Sequence, residues 1–111
     1  MSEADLQKEI IYWLEVAGYQ PFRMPLGAVK HGGVRKRHPL KGFPDLFTFS
    51  KHGTGRLITI ECKTAKGKLS PEQEKWCVKL IQAGVLYVIG RDAGTVIEEL
   101  ATKDVSEIIP R

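Results

Sequence analysis

A chain of 111 residues, 42% hydrophobic and 27% charged, is long enough for one real core, too short for two, and composed unlike a disordered chain. No run approaches the roughly 18 apolar residues of a membrane span, and Met1-Ser2-Glu3-Ala4-Asp5 lacks the basic and apolar regions of an export signal, so one cytoplasmic domain over residues 1–111 is expected. The net charge of +4 is mild as a total but unevenly placed.

Residues 3–17 carry Leu6, Ile10, Trp13, Leu14 and Ala17 at helical spacing, with Gly18 as a terminator, and predict an amphipathic helix. Glu3 and Gln7 stand one turn apart along the border of that stripe, so either could look into a site at the edge of the core; Glu9 competes with them. Tyr19 to Met24 is a short strand candidate that Pro21 confines to a sheet edge or strand start, and Arg23 near its end could reach a phosphate.

From Pro25 to Gly42 the composition turns to Gly, Pro and basic residues without periodicity, which predicts a functional loop: a mobile arm that orders on nucleic acid. Lys30, His31, Arg35, Lys36, Arg37, His38 and Lys41 crowd this segment, and Lys63, Lys66 and Lys68 form a second cluster. Two such clusters point to a polyanion held by its phosphates.

Asp45 to Phe49 alternates weakly and is followed by Lys51-His52-Gly53-Thr54-Gly55, a hairpin signal with Arg56 to Lys63 as the antiparallel partner. The hairpin brings Asp45, at the start of one strand, beside Glu61, near the end of the next. Ser70-Pro71-Glu72-Gln73 is a helix start with a capping box and Pro at the first helical position. That helix places Trp76, Cys77, Leu80 and Ile81 on one face, ends at Gly84, and points Gln73 toward the core side. Val85 to Ile89 predicts a strand buried on both faces. Beyond Arg91, a turn at Asp92-Ala93-Gly94 precedes Thr95 to Ala101 and Asp104 to Ile109, which fit short helices or an edge strand. Cys62 and Cys77 are too few and too distant for a zinc site; in a cytosolic chain they stay reduced, as small core residues.

Alternation over Leu57 to Lys63 puts Leu57, Thr59, Glu61 and Lys63 on one face and Ile58, Ile60 and Cys62 on the other. Glu61 and Lys63 are then roughly 6.5 to 7 Å apart along the strand. A buried carboxylate there needs a partner, and a cation shared with Asp45 would supply one; Mg²⁺ takes one or two carboxylates plus waters and phosphate oxygens. His31, His38 and His52 are scattered, and neither a serine nucleophile signature nor a phosphate-binding glycine loop occurs, so ATP-driven chemistry and a nucleotide cofactor are not expected.

Pro44-Asp45 followed after fifteen residues by Glu61-Cys62-Lys63 resembles the PD-(D/E)xK nuclease motif. Gly42-Phe43-Pro44-Asp45, Lys66-Gly67-Lys68-Leu69-Ser70-Pro71-Glu72-Gln73, Ala83-Gly84-Val85 and Tyr87-Val88 resemble its VRR-NUC branch, the virus-type replication-repair nucleases, over residues 2–92. The resemblance implies an α/β fold with an αβββαβ core, a mixed sheet flanked by helices. It implies Mg²⁺ or Mn²⁺ held by Asp45, Glu61 and the Cys62 backbone carbonyl, with Lys63, Gln73 and an acidic residue of the first helix, here Glu3, completing the catalytic set. The implied activity is a structure-selective DNA endonuclease similar to Holliday-junction resolvases, from a phage or mobile element, acting as a homodimer. Tyr12, Trp13, Phe22 or Trp76 could supply the dimer surface. Arg23, Lys30, Arg35, Lys36, Arg37, Lys41, Lys66 and Lys68 are the DNA-binding set. The alternatives are a flap, end or restriction-type nuclease of the same chemistry, and a nucleic-acid-binding module without turnover.

Overall fold

The computed structural model describes residues 1–25 and 40–106 in full, together with the backbone of 29–31 and 34–36. Its elements are α1 (Glu3–Val16), β1 (Phe22–Arg23), β2 (Val29–His31), β3 (Val34–Lys36), β4 (Leu46–Phe49), β5 (Leu57–Cys62), α2 (Pro71–Gln82), β6 (Leu86–Gly90) and α3 (Ala93–Lys103). The main sheet has the order β1-β4-β5-β6; β1, β4 and β5 are antiparallel neighbours, and β6 joins β5 in parallel after the α2 crossover. With the β2-β3 ribbon set aside, α1-β1-β4-β5-α2-β6 is the expected αβββαβ order, and α3 follows it.

One face of the sheet is the core. Leu46 of β4, Ile58, Ile60 and Cys62 of β5, and Leu86 and Val88 of β6 meet Leu6, Ile10 and Leu14 of α1 and Ala93, Val96 and Leu100 of α3. Gly90 lets these layers close: a Cβ there would lie 2.9 Å from Ile10 Cδ1 and 3.0 Å from both Ile60 Cγ2 and Val96 Cγ2. The opposite face carries Thr59 and Glu61, both fully buried, and α2 packs over its β6 side.

Several expectations need correction. The segment after Pro25 contains an antiparallel ribbon, Val29 opposite Lys36 and His31 opposite Val34, instead of a structureless arm. Gly32-Gly33 between two β-forming runs was the available hairpin signal. Trp13 is 44% exposed, since the buried stripe of α1 is Leu6, Ile10 and Leu14 and its flank faces solvent. On α2, Leu80 is buried while Ile81 is exposed. β6 buries Leu86, Val88 and Gly90 but exposes Ile89, because it is an edge strand whose second face is only partly covered. Cys77 is half-buried, whereas Cys62 is in the core. After Arg91 a helix runs from Ala93 to Lys103, with the Asp92 side chain accepting the Thr95 N–H at 2.8 Å as its cap, so Ala93 and Gly94 belong to the helix; the element expected over Asp104 to Ile109 lies partly outside the described residues. The Tyr19 hydroxyl donates to Asp104 just beyond its end.

Candidate metal centre

Local rules bring the motif residues together. The β4-β5 register sets Leu46 opposite Ile60, so the next pair outward is Asp45 and Glu61. Asp45 turns onto the end of β5, where its Oδ2 accepts the Cys62 N–H at 2.9 Å. The loop leading to it is anchored on α2: Trp76 Nε1 donates to the Lys41 carbonyl at 3.0 Å, and the Phe43 and Trp76 rings meet edge-on at 5.1 Å. Gly42 has φ +88° and approaches the Glu72 backbone so closely that a Cβ would lie 2.6 Å from its carbonyl carbon, which explains the glycine two places before Pro44.

Glu61 is wholly enclosed. Gln73 Nε2 donates to its Oε2 at 3.3 Å, and its Oε1 has no hydrogen-bond partner among the described residues. Gln73 serves two ends at once, because its Oε1 also accepts the Ser70 N–H at 2.8 Å, closing the capping box at the start of α2. Burial first, then a hydrogen bond and charge repulsion from Asp45, push the Glu61 carboxyl up to about 9; the Lys63 ammonium pulls the other way. Beside it the Cys62 thiol is also held well above its ordinary range, by burial and then by the charges of Asp45, Glu61 and Glu3.

Glu3, in the first turn of α1, completes the cluster: Glu3, Asp45 and Glu61 each offer an oxygen within 4.8 Å of the others. Gln7 instead accepts from Arg23 Nη1 at 3.1 Å, and Glu9 is exposed on the helix surface. Three convergent carboxylates repel one another unless a proton or a cation lies among them. An all-oxygen donor set with an unpartnered buried oxygen fits a hard divalent cation such as Mg²⁺ or Mn²⁺. Lys63 follows β5, its N–H donating to the Gly90 carbonyl at 3.0 Å, and its charge acts on Glu61.

The basic residues divide. Arg23, Lys66 and Lys68 are exposed near the motif strands, and exposed Lys41 lies 3.6 Å from Glu72 as a loose surface pair. The side chains of Lys30, Arg35 and Lys36, and all of Arg37, lie outside the described residues. Sequence reasoning missed Arg91, whose Nη1 donates to the carbonyls of Thr64 at 2.7 Å, Ala65 at 3.3 Å and Gly67 at 2.9 Å, and so holds the turn between Lys63 and Lys68. A carbonyl-gathering arginine has no sequence signature. It also missed the Thr59 and Tyr87 hydroxyls, buried without partners on the face of β5 and β6 that bears Glu61.

The family model described as the VRR-NUC domain matches residues 29–91. The chain belongs to the VRR-NUC family. Two solved structures share the VRR-NUC fold with it. One, described as a VRR_NUC domain, is 18% identical, with 93% of this chain and 97% of that one covered and a TM-score of 0.63. The other, a VRR_NUC domain protein, is 18% identical over 97% of this chain and 98% of its own, with a TM-score of 0.66. No curated protein matches the chain. This VRR-NUC chain is thus a nuclease-type domain with an acidic cluster able to hold a metal ion. Among the described residues, no helix is long and apolar enough to cross a membrane.

Proposed function

We propose that this chain is a metal-dependent, structure-selective DNA endonuclease that hydrolyses phosphodiester bonds in branched DNA in the manner of a Holliday-junction resolvase. The observation that carries the reading is the convergence of Glu3, Asp45 and Glu61, whose oxygens lie within 4.8 Å of one another, together with a buried Glu61 Oε1 that has no partner among the described residues. Asp45, Glu61 and the Cys62 carbonyl would hold Mg²⁺ or Mn²⁺, with Glu3 closing the set. The cation, when bound, relieves charge on the phosphate and lowers the pKa of a water. Lys63 aims that water or stabilises the charge that develops on the phosphate oxygens. Gln73 fixes the Glu61 carboxylate from α2, and Arg23, Lys66, Lys68, Lys41 and the basic residues of the ribbon hold the DNA backbone. A two-fold homodimer would set two such sites for paired cuts.

The test is cleavage of a labelled four-way junction, a flap, a linear duplex and a single strand, with Mg²⁺, Mn²⁺ or chelator, by the wild type and Lys63→Ala. Paired, metal-dependent cutting of the junction that the substitution abolishes is the expected result. Preferential cutting of the flap or duplex would keep the chemistry and replace the substrate. Binding without cutting of any DNA would make the chain a binding module.

A further inference from the structure

Among the described residues, α2 packs over the β6 side of the sheet face that bears Glu61. On its other half, alternation and register align three phenyl rings. Phe22 of β1 stands opposite Phe47 of β4, Phe47 stands opposite Thr59, and Phe49 follows Phe47 by two. Phe22 and Phe47 stack with centroids 5.2 Å apart and planes at 21°, and Phe49 meets Phe47 edge-on at 6.5 Å. Phe22 is 44% and Phe49 51% exposed, although the opposite face of the same strands supplies a closed core. Single exposed apolar residues are ordinary, whereas a contiguous aromatic patch beside a polar site marks a binding surface.

We infer that Phe22, Phe47 and Phe49 form a ledge on which unpaired bases stack beside the bond to be cut, making single-stranded nucleotides next to the site part of the substrate; this rests on the endonuclease reading. Position decides the occupant. Asp45 precedes Phe47 by two residues on the same face, so the ledge begins roughly 6.5 to 7 Å along the strand from the acidic cluster. Arg23, next to Phe22 at the site end of β1, pairs with Leu46 and donates to Gln7 of α1, so it lies on the other face, and the phosphate beside the ledge is one held at the acidic cluster. The β2-β3 ribbon, whose sequence contains Lys30, Arg35 and Lys36, is inserted between β1 and β4 at that same end. Aromatic rings beside a site that takes a phosphate are what single strands require: the phosphate is held at the site while the neighbouring bases lie on the rings. A continuous duplex keeps its bases in its own stack and has nothing to place on the phenyl faces.

The test uses the full chain carrying Lys63→Ala to prevent cleavage, with Mg²⁺, and reads fluorescence anisotropy on an oligothymidylate, an abasic strand of equal length and a matched duplex. Phe22→Leu and Phe49→Leu, singly and together, keep apolar bulk and remove the aromatic face; Phe22→Tyr restores one. The expected result is a loss of roughly five- to a hundredfold on the oligothymidylate with the Leu variants, recovery with Tyr, and little change on the abasic strand or duplex. Unchanged oligothymidylate binding, or an equal loss on all three probes, would overturn the ledge. So would a dimer that the Leu variants dissociate without affecting oligothymidylate binding. If the unsubstituted chain cuts none of the DNAs while the ring-dependent base preference persists, the base-binding surface stands and the endonuclease reading fails.

Discussion

The two faces of β5 are equally buried and built on opposite terms. Ile58, Ile60 and Cys62 lie among aliphatic side chains of α1, α3 and the neighbouring strands. One residue out of phase, Thr59 and Glu61 are as deeply enclosed, yet Thr59 Oγ1, Glu61 Oε1 and the nearby Tyr87 hydroxyl have no hydrogen-bond partner among the described residues. The first face gains free energy from every group it removes from water, while the second holds polar groups whose desolvation is uncompensated. A single strand thus carries apolar burial on its even positions and uncompensated polar groups on its odd ones, and the stable face makes the costly one tolerable.

The largest effect should come from the polar face. Glu61→Gln and Lys63→Ala are each expected to lower metal-dependent DNA cleavage by about a hundred- to a thousandfold or more, measured as single-turnover rates. Glu61→Gln should nevertheless leave the metal-free melting temperature above pH 8 unchanged or higher, because a buried charge is removed. The pH dependence has the same origin. With its carboxyl raised from 4.5 to about 9, Glu61 holds in the folded state a proton that the unfolded chain releases. Its contribution to metal-free stability is therefore complete below about 4.5 and lost as pH climbs through 9. Melting curves in chelator should fall across that window, and added Mg²⁺ should flatten the decline. A pH-independent curve would mean that Glu61 is charged and satisfied without a cation.

Substitutions on the apolar face should act in the opposite sense, lowering stability before chemistry. Ile60→Ala, at a fully buried position, should cost about 2–5 kcal/mol in denaturant unfolding. Gly90→Ala should cost about 1–3 kcal/mol, because the added methyl overlaps Ile10, Ile60 and Val96 at once. The smallest effect, about 1 kcal/mol, is expected for Ser70→Ala, which removes the oxygen accepting the Gln73 N–H at 3.2 Å. If that variant lost activity out of proportion to stability, the capping box would also be holding Gln73 against Glu61.

Much of the site was legible because its parts obey short-range rules. Hairpin length and strand period alone set Asp45 beside Glu61, and the capping signature located α2 and the face from which Gln73 reaches Glu61. Glu3 was legible only as one of three helical residues. Its distinction from Gln7 and Glu9 depends on how α1 crosses the end of the sheet, and no local pattern records that angle. Arg91 and Tyr87 were missed for a related reason: Arg91 bonds the 64–67 turn and Tyr87 comes beside Thr59 only through the parallel β5-β6 pairing. The basic ribbon was read as a loop because its strands are three residues each, too short for alternation to show.

The amino-acid sequence by itself determined the elements other than the β2-β3 ribbon and α3, the hairpin, the α2 capping box and the motif that unites Asp45, Glu61 and Lys63, because turn chemistry, helical period and strand alternation act within a few residues. Only the tertiary structure decided which side of each element is covered. It left Phe22, Phe49, Ile81 and Ile89 exposed, buried Thr59 and Tyr87's hydroxyl, and chose Glu3. Burial and convergence depend on neighbours brought from far along the chain, and apolarity alone does not say which of two faces will find a partner.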